Sequence, residues 1–279
     1  MSRAEEMRAR AKRYAERAEA MRAEHGSVDA AYLIADRDSE VGGGLMAGAL
    51  AYRIFIWLLP FSLVVVAGIG IAASTSETPE SAAKSLGLQG VVASSVAQAA
   101  RGSSRWYALL IGIPILLWAT RALLKAVVAV HRLVWGDLRR TVPKPTVGAT
   151  LLFLAMLVGY FVILELARAV GSWTGSVTLR LLATFLGIFA WWLVLSMRLP
   201  HRGVPWSALV PGAVVMAIGL ELLFSIGTFF IAPRVESSQR AYGALGIAAA
   251  ILFGLYLISR LVVASAVINV TVWERRTAE

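Results

Sequence analysis

Cysteine is absent from the 279 residues and histidine occurs only three times, so the chain has no disulfide, no thiolate nucleophile and no cysteine-based metal site. His25, His131 and His201 are scattered, without an HxxxH or HxHxDH grouping, which leaves a catalytic zinc no recognisable ligands. GxxxxGK[ST] and GxSxG are also missing, and their absence disfavours ATP-driven transport and serine hydrolysis within this chain. Charge is scarce too, at 16% of residues where soluble domains carry ~25%. The expectation is a protein that is not an enzyme and holds neither cofactor nor metal.

Apolar residues make up 58% of the chain and gather in long uninterrupted runs, the pattern that a hydrocarbon layer of ~30 Å demands. Six runs qualify by length: Leu45–Ala73, Tyr107–Trp135, Val147–Val170, Val177–Leu199, Ser207–Ala232 and Tyr242–Trp273. No ten-residue alternation repeats, so a barrel is excluded and helices remain. The expected fold is all-α, a polytopic bundle of six transmembrane helices with a cytoplasmic N-terminal helix. Residues 1–40 form the charged segment, 41–273 the membrane domain and 274–279 a short tail.

Arg3–Glu24 reads as a polar helix, either solvated or on the membrane surface, or else a coiled-coil face along Met7, Ala11, Tyr14, Ala18 and Met21. It does not resemble a signal peptide, because the first apolar stretch begins only near Leu45. With the N-terminus inside, cytoplasmic segments hold fifteen Lys and Arg and outer segments five, so the positive-inside rule places both termini in the cytoplasm. The formal charge of +10 does not by itself choose between nucleic acid and anionic lipid, but in a membrane protein basic residues orient loops and meet anionic lipid, and membrane lipid, not nucleic acid, is the expected partner. Ser74–Trp106 is the one sizeable external loop; Ala82, Leu86, Val92, Val96 and Ala99 recur at near-helical spacing, as in an interfacial loop helix or a gate.

Ionisable groups inside spans are the candidate site, because each costs upward of ~2.5 kcal/mol at a helix centre unless it faces protein or water. Arg53, Arg121, Lys125 and Arg260 share the cytoplasmic half of their spans, and Glu221 sits near the middle of the fifth. One reading is a basic vestibule that holds a phosphate-bearing group; the other is side chains snorkelling to the headgroups. Glu221 has no basic residue one turn away. It needs a partner among Arg53, Arg121 and Arg260, or a proton. Glu165 and Arg168, spaced i,i+3, read as a structural pair. Pro60 and Pro114 fall inside spans, where proline frees a carbonyl and usually kinks the helix, and Gly44 to Gly48 has small-xxx-small spacing.

The run MAGALAYRIFIWLLPFSLVVVAG resembles the opening of the YihY/virulence-factor BrkB family. WSALVPGAVVMAIGLELLFSIGTFF is similar to that family's fifth span, with Pro211, Gly212 and Ala213 at its start, and the stretch from Tyr242-Gly243 to Asn269 is similar to its last. The likeness covers roughly Val41 to Asn269. Where many relatives carry an acid just before the asparagine, this chain has Ala266-Val267-Ile268, so no role for that acid is carried over. The resemblance implies a bacterial inner-membrane protein of six helices linked with envelope integrity, and, through the YhjD branch, export of lipid precursors. The name ribonuclease BN also travels with the family, and the missing metal ligands argue against it. Two functions follow: a transporter or flippase-like protein for an anionic amphipathic substrate, marked by a polar crevice at Arg53, Arg121 and Arg260, or a scaffold for envelope assembly, marked by a solid bundle.

Overall fold

A computed structural model describes residue 6 and residues 26–72, 104–137, 145–226 and 232–278, with the backbone alone described at residues 27 and 66 and over 69–72, 104–105 and 232–248. The surface helix expected over Arg3–Glu24 and the loop helix expected between residues 74 and 103 lie outside the described residues, Glu6 apart. Among the described residues the chain is all-helical: α1 (Gly26–Glu40), α2 (Gly43–Ala72), α3 (Ser104–Val134), α4 (Val147–Thr174), α5 (Val177–Arg198), a 3₁₀ turn (Trp206–Leu209), α6 (Val210–Ile226) and α7 (Ala232–Ala278). Helices α2 to α7 each hold a stretch long and apolar enough to cross a bilayer.

Local chemistry sets the helix ends. Thr146 caps α4 by accepting the Ala149 N–H at 3.2 Å, and Ser176 caps α5 through Leu179 N–H at 3.3 Å. Gly175 ends α4 in the left-handed region (φ 65°), so two residues suffice to reverse the chain between α4 and α5. Pro60 and Pro114 are accommodated within continuous helices. The last helix begins ten residues before its apolar run and extends five beyond it. Its 47 residues span about 70 Å at 1.5 Å per residue, well over the thickness of a bilayer.

The C-terminal half of α7 is the axis of the bundle. It touches α1, α2, α3 and α6, and its small or β-branched residues Ser259, Val263, Ala266, Val267 and Val270 are almost wholly buried. Such residues allow close helix approach where hydrocarbon gives helices no hydrophobic reason to associate. Helices α4 and α5 lie outermost, with only 11% of each span window buried against 39% for α3. Their Leu151, Val162, Leu166 and Leu182 turn outward, as expected of a face solvated by lipid. Exposed Trp106, Tyr107 and Trp173 mark one end of the spans and Trp206 the other, the placement of aromatic belts at the two membrane interfaces.

Helix α1 runs antiparallel to the end of α7. Arg275 Nη1 donates to Gly26 O at 2.6 Å, Arg37 Nη1 pairs with Glu274 at 3.1 Å, and Arg260 meets Asp38. The beginning of α1 and the end of α7 therefore lie at the same end of the bundle, consistent with an even number of crossings.

Candidate functional site

All six spans contribute to the lining of a partly open cavity of about 310 Å³. Leu50, Ile54 and Trp57 of α2 line it with Leu123 and Val127 of α3, Phe153, Tyr160 and Phe161 of α4, Trp191 and Trp192 of α5, Met216 and Phe224 of α6, and Leu255 and Ile258 of α7. No ionisable carboxylate, lysine or arginine is among its lining residues. Aromatic rings form much of the wall: Trp57 stacks on Phe61 at 4.5 Å, Phe61 on Phe161 at 5.4 Å, and Tyr160 meets Trp191 at 4.9 Å. Such contacts stiffen a surface whose residues come from three different helices.

Indole N–H groups in apolar surroundings need acceptors. Trp57 Nε1 donates to Thr120 Oγ1 at 2.9 Å, and that hydroxyl in turn donates to Leu116 O at 2.7 Å. Trp191 Nε1 donates across to Met156 O at 2.8 Å. Trp192 differs: its Nε1 is buried and has no hydrogen-bond partner.

The cations singled out in the sequence lie elsewhere. Trp57 and Thr120 are level, and α2 and α3 are antiparallel, so Arg53, four residues before Trp57, sits level with Leu124 and Lys125. Arg53, Arg121 and Lys125 are all exposed. On α3 the buried positions Leu116, Thr120, Leu123 and Val127 form one face, and Arg121 and Lys125 share the opposite, outward side with Trp118, which is 64% exposed. None of Arg53, Arg121, Lys125, Arg260 and Glu221 is among the residues that line this cavity.

Arg260 is engaged by a residue that sequence reasoning did not consider. Its Nη1 donates to Asp38 Oδ1 at 2.5 Å and its Nη2 to Asp38 Oδ2 at 2.6 Å, the two-pronged geometry that suits guanidinium and carboxylate. Gly43 makes the space, since a Cβ there would collide with the Asp38 carboxylate and lie 2.8 Å from Arg260 Nη1. Arg260 points away from Glu221 because of helix rotation. Leu261 packs on Gly219 and Asn269 on Gly212, so this face of α7 meets α6, and Arg260, one residue from Leu261, is turned by about 100°. Glu221 keeps one carboxylate oxygen buried without a hydrogen-bond partner. Glu165 and Arg168 do pair, at 2.7 Å.

Where α6 and α7 cross, Gly212 N–H donates to Asn269 Oδ1 at 2.7 Å. Gly212 lies in the first turn of α6, where amides have no partner within the helix, and the neighbouring Pro211 has no N–H to satisfy. Asn269 thus caps α6 from the side. Among the described residues no three of His, Asp and Glu are grouped as metal ligands, and the rings of His131 and His201 each face a backbone carbonyl, of Val127 and Leu199 respectively.

Six long apolar helices, with apolar side chains turned outward and a shared apolar cavity between them, make this a polytopic α-helical membrane protein. The sequence model described as Virulence factor BrkB matches residues 34–279, and the chain belongs to that family. The match takes in Asp38, all six spans and the Gly212–Asn269 crossing. Comparison with curated proteins and with solved structures gives no match.

Proposed function

We propose that the chain is a bacterial inner-membrane transporter or flippase-like protein for an anionic amphipathic envelope substrate, with no catalytic chemistry of its own. The observation that carries this reading is the apolar cavity to which all six spans contribute. Its volume is at the lower end of the ~300–1,000 Å³ of ligand pockets, enough for part of a hydrocarbon chain. The charged head belongs outside it, where the exposed Arg53, Arg121 and Lys125 offer cations to phosphate oxygens. Arg260 joins them only when its pair with Asp38 opens, and Glu221 is the acid available to carry a proton during movement.

The test is transfer of a fluorescent anionic phospholipid between leaflets of vesicles containing purified protein. Wild type is expected to accelerate transfer over empty vesicles, and Leu123→Trp, which fills the cavity from α3, to lower that rate about tenfold while the protein stays folded. Equal rates with wild type, the filled variant and empty vesicles would reject transport and favour the scaffold reading.

Orientation is part of the same proposal. A Thr277→Cys label in this cysteine-free chain is expected to react only from the cytoplasmic side, because Thr277 is exposed at the end of α7 beside the basic Arg275 and Arg276. Reaction from outside in intact cells would reverse the topology.

A further inference from the structure

A second pocket, of about 390 Å³, opens where α3, the turn between α5 and α6, and the end of α7 meet. Arg202, Val204 and Pro205 line it from the turn, Trp135 from the end of α3, and Trp273 and Glu274 from α7. Pro205 stands beside the exposed Trp206 of the aromatic belt, which places the pocket at the level of lipid headgroups. Both of its charged side chains are accessible, Arg202 being exposed and the Glu274 side chain 47% exposed. Among the described residues Arg202 is the one non-glycine with positive φ, at 52°, and Gly203 follows it at 70°; Val204 N–H closes this turn onto His201 O at 3.2 Å. Glycine or asparagine adopts such a conformation more readily, so what arginine brings to the turn is its side chain. Its Nη2 donates to Gly136 O at 3.1 Å, which fixes the guanidinium at the pocket wall. Glu274 pairs not with Arg202 but with Arg37, at 3.1 Å. One cation and one anion thus share the pocket without neutralising each other.

We infer that this pocket binds an ammonium–phosphate zwitterion, the phosphoethanolamine head of a phospholipid, with Arg202 on the phosphate and Glu274 on the ammonium. Guanidinium donors match phosphate oxygens, and a carboxylate beside an aromatic wall, here that of the half-buried Trp273, suits an ammonium. Each carboxylate oxygen has more than one lone pair, so the pair with Arg37 leaves Glu274 able to accept an ammonium N–H. A ligand carrying the anion alone meets Glu274 as a like charge, and one carrying the cation alone meets Arg202 likewise, so the zwitterion is selected by repulsion as well as attraction. The site is separate from the apolar cavity and does not rest on transport, since a scaffold would hold a headgroup equally well.

Native mass spectrometry of the full-length protein in detergent tests this, with phosphatidylethanolamine and phosphatidylglycerol of the same acyl chains added at equal concentration. Wild type is expected to retain phosphatidylethanolamine about tenfold better, the scale of one hydrogen bond to a charged group. Arg202→Gln should weaken both lipids about tenfold, because both carry the phosphodiester. Glu274→Gln should bring phosphatidylethanolamine down to the level of phosphatidylglycerol or below, whereas Arg37→Gln, which breaks the same ion pair but keeps the carboxylate, should preserve the preference. That contrast separates a binding role for Glu274 from a structural one. Glycerophosphoethanolamine, the same head without chains, is expected to displace the lipid at least tenfold less well than the lipid itself; equal displacement would make the soluble ester the ligand and remove the lipid. Equal retention of the two lipids by wild type overturns the inference without recourse to a variant. It is overturned as well if the preference survives in Glu274→Gln, or if Arg202→Gln binds both lipids as wild type does.

Discussion

Replacing Arg260 with leucine is expected to loosen α1 from the bundle, raising amide hydrogen exchange across residues 26–40 by roughly thirtyfold or more. The loss is the two-pronged hydrogen bond to Asp38, whose carboxylate is 17% exposed and would be left half-buried without its cation. Hydrogen bonds to charged groups contribute about 1.5–3 kcal/mol, and 1.4 kcal/mol corresponds to a factor of ten. Asp38→Asn should have a smaller effect, because the longer Arg260 side chain, already 37% exposed, can turn toward water or headgroups. Changing both residues to leucine should recover much of the loss, since an apolar pair leaves no stranded charge. Gly43→Ala should resemble Arg260→Leu, because the new Cβ would occupy the space of the ion pair. If exchange in α1 is unchanged in Arg260→Leu, the pair does not hold the helix; the ties from Arg37 to Glu274 and from Arg275 to Gly26 would then suffice.

The contrast with the sequence reading is instructive at these same residues. Six spans were legible because membrane hydropathy is a local property, visible in any window of some twenty residues. The partner of Arg260 was not, because Asp38 is 222 positions away in sequence and the pairing depends on the rotation of α7. Depth along a span can be counted from its ends, but direction cannot, so Arg53, Arg121 and Arg260 read as neighbours of Glu221 when only their level was known. The cavity was illegible for the same reason, since Trp192 differs from Trp191 by one residue and about 100° of helix, and only packing tells which indole has found an acceptor. Glycine spacing misdirected attention as well. Gly48, in the small-xxx-small stretch, has open space where a Cβ would go, whereas Gly212 and Gly219, which no spacing rule marked, lie against α7.

Gly212 therefore carries the larger expected effect on the fold. Gly212→Ala is expected to destabilise the membrane domain by about 2–4 kcal/mol, the sum of overpacking and a weakened hydrogen bond. The added Cβ would meet the backbone carbonyl of Ser265 and lie 2.6 Å from Asn269 Nδ2 and 2.7 Å from Asn269 Oδ1. A flexible side chain could move aside, but the Ser265 carbonyl belongs to the helix that forms the axis of the bundle. Relief requires α6 and α7 to separate, and separation stretches the 2.7 Å bond from Gly212 N–H to Asn269 Oδ1, leaving a first-turn amide of α6 unsatisfied where water is scarce. Asn269→Ala isolates the second contribution, and about 1–2 kcal/mol is expected for loss of that cap. Gly48→Ala is the control: open space surrounds the new methyl group, and its better helix propensity should leave stability unchanged or slightly raised. The measurement is the fraction folded in detergent against added denaturant, with the order Gly212→Ala, Asn269→Ala, Gly48→Ala from least to most stable. A Gly212→Ala protein as stable as Gly48→Ala would mean that the α6–α7 crossing has room to spare, and that the Pro-Gly-Ala start of α6 does not serve close packing.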